Sequence, residues 1–232
     1  MAGRDVCRVK RGLLRGGWLI PLWLLSTPLP GVEKADWPWW GGALALSFAL
    51  DGVVEAGFPR SRRDPWGWRW VNAWGGPQAL AVPLGLWAAG AVRREWREDG
   101  AAMLRAAAVG VSFTGLVKWG SGRLRPDAFA VGEADPGRWF SGGDAFPSGH
   151  ATLAFALSTA WAERRPRPFW QRAAAYALAG GTALARIRYR RHWLSDVVAG
   201  AAVGVFAGRW AAGGGGSSWR FTPQAMSWSQ AW

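Results

Sequence analysis

Six apolar stretches, at about 38–58, 77–92, 101–118, 148–162, 173–187 and 193–211, are separated by breaks rich in Arg, Pro, Gly and Trp. They are built mostly of Ala, Leu, Val and Gly, run too long for strands, and show no period-two alternation. The chain is therefore expected to be all-α, a bundle of about six helices. Helices joined by short connections lie antiparallel. That topology carries Lys118, His150, Arg186 and His192, each at a boundary of one stretch, to one end of the bundle.

Each stretch barely reaches the ~20 residues that span a hydrocarbon core, so a soluble bundle and a membrane-spanning one both fit. Three features favour the membrane. The segments 77–92, 151–162 and 173–185 carry no acidic or basic residue, whereas a surface helix of a soluble bundle shows a polar face. Gly200, Gly204 and Gly208 recur every fourth residue, which lets a neighbouring helix approach closely. The breaks concentrate Trp and Arg as interfacial belts do. Asp51 and Glu55, one turn apart in the first stretch, count against it.

Half of the residues are apolar and 20 are Trp, yet mean hydropathy is close to zero. The 25 Arg and 3 Lys account for this and leave a formal charge of +13, which attracts anionic partners: lipid headgroups, phosphorylated substrates or nucleic acid. No nucleic-acid motif accompanies the charge, so no nucleic-acid partner is expected. Cys7 is alone. Residues 1–36 read as a basic N-terminal anchor or a signal-like segment; the Pro-broken apolar core and the poor cleavage site at Val32-Glu33-Lys34-Ala35 favour the anchor. Residues 213–232, opening on a Gly run, read as a flexible tail.

Three blocks carry the chemistry. In Arg186-(five residues)-His192-(three residues)-Asp196, the His and Asp share one helical face, so the carboxylate can hold one ring nitrogen as N–H while the other attacks phosphorus. An ordinary helical His/Asp contact is the other reading; Arg186 shifts the balance by offering a bidentate phosphate contact. Pro147-Ser148-Gly149-His150 marks a loop becoming a helix: Ser148 caps, the Gly149 amide can approach a ligand, and His150 is placed to act as an acid. Lys118-(six residues)-Arg125-Pro126 spans a Gly-containing turn, which lets both cations converge on one anion. Arg123, Arg138, Arg188, Arg190 and Arg191 are expected to be solvated or lipid-facing. Phosphoryl transfer needs positioning and charge neutralisation above all, so these cations can serve without a metal or other cofactor.

In order and spacing, Lys118 to Asp196 resembles the signature of the type 2 phosphatidic acid phosphatase superfamily, which includes bacterial acid phosphatases and vanadium haloperoxidases. One departure is Ala185, where the family usually has Ser. The resemblance implies an acid phosphatase/vanadium haloperoxidase-like helical core over 37–212. His192 would be the nucleophile of a phosphohistidine intermediate, with Asp196 fixing its tautomer and His150 the acid and then the base. Lys118, Arg125, Arg186, Ser148 and Gly149 would hold the phosphate oxygens. The implied activity is metal-independent hydrolysis of lipid phosphates, such as phosphatidate, phosphatidylglycerol phosphate or a polyprenyl diphosphate. A vanadium-dependent haloperoxidase and a non-catalytic basic membrane protein binding anionic lipid are the alternatives. The Arg-rich loop at 163–167, opposite the site, places that end in the cytoplasm by the positive-inside rule. The expectation is therefore a multi-pass inner-membrane protein with its site facing the periplasm or exterior, although Arg60, Arg62, Arg63 and Arg69 fall on the outer side.

Overall fold

The computed structural model describes residues 36–57, 66–129 and 133–213, and the backbone of 217–222 and 225–230. The body is all-α, as expected: α1 (Asp36–Gly57), α2 (Trp66–Ala73), α3 (Ala81–Ala89), α4 (Arg94–Ser121), α5 (Gly149–Glu163), α6 (Phe169–Arg188) and α7 (Leu194–Ala212). Short 3-10 turns, Pro77–Leu80 and Pro126–Ala128, precede α3 and follow α4. Each of the six apolar stretches becomes a helix, and the anchor or signal-like segment before Asp36 lies outside the described residues.

The unexpected element is α2. Its sequence, rich in Trp with a Gly at the second position, has weak helix propensity. Tertiary contact with α6 sustains it: the Thr182 hydroxyl donates to the Val71 carbonyl at 2.6 Å. A methyl in place of the Gly181 hydrogen would meet Val71 Cγ1 at 2.6 Å. Beyond Gly213, where a flexible tail was expected, Ser217–Thr222 (β1) and Ala225–Gln230 (β2) pair antiparallel, with Trp219 opposite Trp228. Aromatic residues in alternate positions favour such a ribbon.

Helix α5 is the axis of the body and packs against α7, α4 and α6, while α1 lies against α7, α2 against α6 and α3 against α4. The glycine stripe of α7 explains the closest of these contacts. A methyl at Gly204 would stand 2.5 Å from the Thr152 carbonyl oxygen, and one at Gly208 2.5 Å from Thr159 Cβ. Around this seam, Met103, Ala106, Leu153, Leu157 and Ala207 are buried together, with Trp74 and Trp161 packed alongside. The outward faces of α1, α3 and α4 expose Leu46, Val53, Leu84, Phe113 and Leu116. Among the described residues, one helical segment, Arg94–Ala128, is long and apolar enough to cross a membrane.

At the end where α4 begins, the Arg-rich connection between α5 and α6 meets acidic residues. Arg165 pairs with Glu95 at 2.5 Å and with Asp99, Arg167 with Asp99 at 2.6 Å, and Arg164 with Glu98 at 3.2 Å. These pairs draw the charged sequence Arg94–Asp99 into α4, seven residues ahead of the apolar stretch. The bundle's other end receives the termini of α4 and α6 and the starts of α5 and α7.

Candidate active site

Helix α4 ends because Gly122 adopts the left-handed conformation, φ 55°, and returns its N–H to the Lys118 carbonyl at 3.3 Å. Lys118, in the last turn, reaches toward the start of α5: its Cε would lie 3.8 Å from a methyl on Gly149. Its ammonium donates to the Asp144 carbonyl. Three residues past the turn, Arg125 grips the Asp144 carboxylate through Nε and Nη2, both at 2.7 Å. Burial alone would raise the Asp144 pKa. The Arg125 hydrogen bond and charge, with Lys118 and His192 behind them, instead hold it below the ordinary carboxylate value.

Ser148 caps α5 as expected, its hydroxyl oxygen accepting the Ala151 N–H at 3.4 Å. Its own N–H donates to the Asp196 carbonyl at 2.8 Å, which ties the start of α5 to that of α7. His150 follows in the first turn and feels the charges of Arg186, Arg125 and Lys118. Arg186, in the last turn of α6 and 8% exposed, donates from Nη1 to the Asn72 side-chain oxygen at 3.1 Å. Its Nε is buried and has no hydrogen-bond partner among the described residues. A buried guanidinium N–H without an acceptor is costly, and a phosphate oxygen is the acceptor this fork fits.

His192 is 3% exposed, just ahead of α7. Its Nδ1 lies 2.8 Å from the Ala145 carbonyl oxygen and 3.7 Å from Asp196 Oδ2. A carbonyl only accepts, so Nδ1 carries the hydrogen and Nε2 the lone pair. The expectation that Asp196 directly fixes the tautomer is thus corrected: the Ala145 carbonyl holds the ring. Asp196 instead accepts from the Trp193 N–H at 2.8 Å and from Arg123 Nη1 at 2.6 Å. The geometry favours this because N-capping turns the Asp196 carboxylate back onto the α7 N-terminus. Burial lowers the His192 pKa, more than the neighbouring Asp196 raises it, so the ring is neutral near pH 7.

Of the arginines expected to be solvated or lipid-facing, Arg138 and Arg191 are exposed, whereas Arg123, Arg188 and Arg190 are not. Arg123 is 1% exposed and bridges Asp51 at 2.7 Å and Asp196 at 2.6 Å. Its guanidinium lies 4.6 Å from the Trp139 ring centre. Arg190 pairs with Glu55 at 2.5 Å, Arg191 with Asp127 at 2.8 Å, and Arg188 lies over Trp68. Partners distant in sequence overturn the expectation for Arg123, Arg188 and Arg190. The same pairs remove the objection that Asp51 and Glu55 raised, because both carboxylates are paired with arginines inside the protein.

The predicted residues Lys118, Arg125, Ser148, Gly149, His150, Arg186, His192 and Asp196 thus gather at one end of the bundle. Sequence reading missed Asn72, Asp144, Ala145 and Arg123. Asp144 and Arg123 had a signal, since each lies within five residues of a recognised block; Asn72 had none, because α2 was not foreseen. The Ala145 contribution is a backbone carbonyl, which no residue type announces.

Two histidines and three cations gathered at one end of an all-α body define a class, and the chain belongs to the PAP2 superfamily, which it matches over residues 99–215. It is 38% identical over 111 residues, 46% of its length, to the lipid A 1-phosphatase of Porphyromonas gingivalis, and the alignment covers 22% of that protein. The chain therefore spans only about a fifth of that curated relative. Two solved structures share the fold. LpxE of Aquifex aeolicus has a TM-score of 0.51 at 19% identity, over 72% of this chain and 92% of that one. The first transmembrane PAP2 type phosphatidylglycerolphosphate phosphatase from Bacillus subtilis has a TM-score of 0.51 at 20% identity, over 70% of this chain and 81% of that one.

Proposed function

We propose that this protein hydrolyses phosphate monoesters or diphosphates of lipids through a phosphohistidine on His192, with the helical domain 37–212 as the catalytic unit. The buried, unpartnered Nε of Arg186, facing a cluster of cations and two histidines, carries the reading. The His192 Nε2 lone pair forms the N–P bond as the ester P–O bond breaks, and His150, whose protonated form the bound phosphate dianion favours against the surrounding cations, gives its ring proton to the departing oxygen. His150, now neutral, takes a proton from water; the water oxygen attacks phosphorus, the N–P bond breaks and phosphate leaves. Lys118, Arg125 and Arg186, with Ser148 and the Gly149 amide, neutralise the equatorial oxygens, and Asp196 works at the base of the His192 loop.

Lipid substrates are supported by the exposed large apolar side chains on α1, α3 and α4 and by the spanning length of Arg94–Ala128. Relatives named for lipid A 1-phosphate and phosphatidylglycerol phosphate point the same way. The protein is then a multi-pass membrane protein. The Arg164, Arg165 and Arg167 loop lies on the cytoplasmic side and the site on the periplasmic or exterior side. The acidic partners of that loop leave the argument intact, since acidic residues contribute little to the positive-inside rule.

The test is phosphate release by purified protein in detergent with chelator, on phosphatidate, phosphatidylglycerol phosphate, lipid A, a polyprenyl diphosphate and a soluble ester. His192→Ala is expected to abolish turnover. Arg186→Ala is expected to reduce it by about 10²–10³-fold, the usual loss for one donor to a developing charge. Retention of more than about a tenth of the activity by both variants, where an effect of that size is expected, would rule the assignment out.

A further inference from the structure

Resting on that reading, we propose that Asp51, on α1 and outside the stretch that matches the family, is a positioning residue for the phosphoryl transfer. It shares the charge of Arg123 and so leaves the Asp196 carboxylate beside the His192 ring only partly compensated. The contacts form one closed set. Asp51 Oδ2 accepts from Arg123 Nη2 at 2.7 Å and from the Ser195 hydroxyl at 2.6 Å, and Oδ1 accepts the Ser195 N–H at 2.8 Å. Arg123 Nη1 donates to Asp196 Oδ1 at 2.6 Å and to Ser195 Oγ at 2.7 Å. Asp51 and Arg123 are 1% exposed, Ser195 and Asp196 0%. The Pro136 carbonyl takes the remaining Arg123 donors at 2.9 and 3.1 Å, and Trp139 and Trp193 cover the guanidinium.

Two carboxylates share one guanidinium, so the set carries a net charge of about −1 in a site without solvent screening. Replacing such a set by apolar residues is often neutral or stabilising, so its presence is better explained by what it does to its neighbour. As the N–P bond forms, the imidazole gains positive charge while Nδ1 keeps its hydrogen. Asp196 Oδ2, 3.7 Å from Nδ1, is the anion nearest that charge among the described ion pairs. With Arg123 balanced against Asp196 alone, the two would cancel. Asp51 takes up half of Arg123 and leaves Asp196 the surplus.

The full-length protein carries the test, with kcat and KM measured on the best lipid phosphate and thermal unfolding followed in the same detergent. Asp51→Asn, which keeps size but cancels the surplus charge and replaces one of the two acceptor oxygens by a donor, is expected to lower kcat about ten- to hundredfold, the range for partners that orient a reacting group, with KM within about threefold. Adding Arg123→Gln restores the charge surplus on Asp196, and the double variant is expected to regain at least about tenfold of the lost kcat, within that same range. A merely structural ion pair would leave the double variant no faster than the single one. That result, or an Asp51→Asn variant with wild-type kcat, would overturn the proposal provided His192→Ala is inactive. If His192→Ala still turns over, the catalytic reading beneath it fails instead. Should Asp51→Asn not fold, the double variant decides: kcat within about tenfold of wild type supports the proposal, and a deeper loss overturns it.

Discussion

The carboxylate of Asp144 sits where two of the cations proposed to bind phosphate meet. Arg125 holds it bidentately, and Lys118 holds the carbonyl of the same residue. The Arg125–Asp144 pair is partly solvated, with side-chain exposures of 27% and 62%. Such pairs are worth about 0–1 kcal/mol, little enough for a phosphate dianion to displace the carboxylate. Asp144→Ala is therefore expected to tighten inhibition by inorganic phosphate by up to about fivefold. The inhibition constant measures this directly, and a weaker inhibition would show that Asp144 instead holds Arg125 in place. At this scale the sequence was most legible where charge and spacing coincide. All eight predicted residues lie at one end, because the α4–α5 and α6–α7 connections both lie there and the helices they join run antiparallel. It was least legible for Arg123, whose neighbours Asp51 and Asp196 lie 72 and 73 residues away.

Helix α7 shows how an element's composition dictates its neighbours. Its Gly204 meets backbone of α5, with the Ala156 nitrogen 2.9 Å from where a methyl would stand and the Thr152 oxygen closer still. Neither can swing aside as a side-chain tip would. Gly204→Ala is expected to destabilise the protein by about 1–3 kcal/mol through overpacking. Gly180, within α6, has open space around the same position, and there Ala should stabilise the helix by about 0.5–1 kcal/mol. Paired unfolding midpoints in one detergent distinguish the two, and equal shifts would remove the close-packing account. The spacing of Gly200, Gly204 and Gly208 was visible in the sequence as a packing stripe. Which helix it faces was not, since α4, α5 and α6 all present small apolar surfaces.

For the whole molecule, the proposed orientation sets the site and the Arg164–Arg167 loop on opposite sides of a bilayer. With Cys7 replaced by Ser, a cysteine at the exposed position Ser141, near the site, should label in intact cells with a membrane-impermeant maleimide. One at exposed Arg172, near the start of α6, should label only after lysis. The reverse pattern would invert the topology.

Periodicity, apolar length and three charged blocks in order settled, from sequence alone, that the protein is an α-helical body with cations and histidines at one end. These properties are local, and helix geometry converts each into position along an axis. Tertiary structure alone decided the rest. Helix α2 forms because α6 covers it, Asp51 has a partner because Arg123 turns inward after Gly122, and the Ala145 carbonyl, rather than Asp196, receives His192. Each depends on the distance between atoms far apart along the chain, and a buried charge or an unpaired polar group can be judged only once its partner is in place.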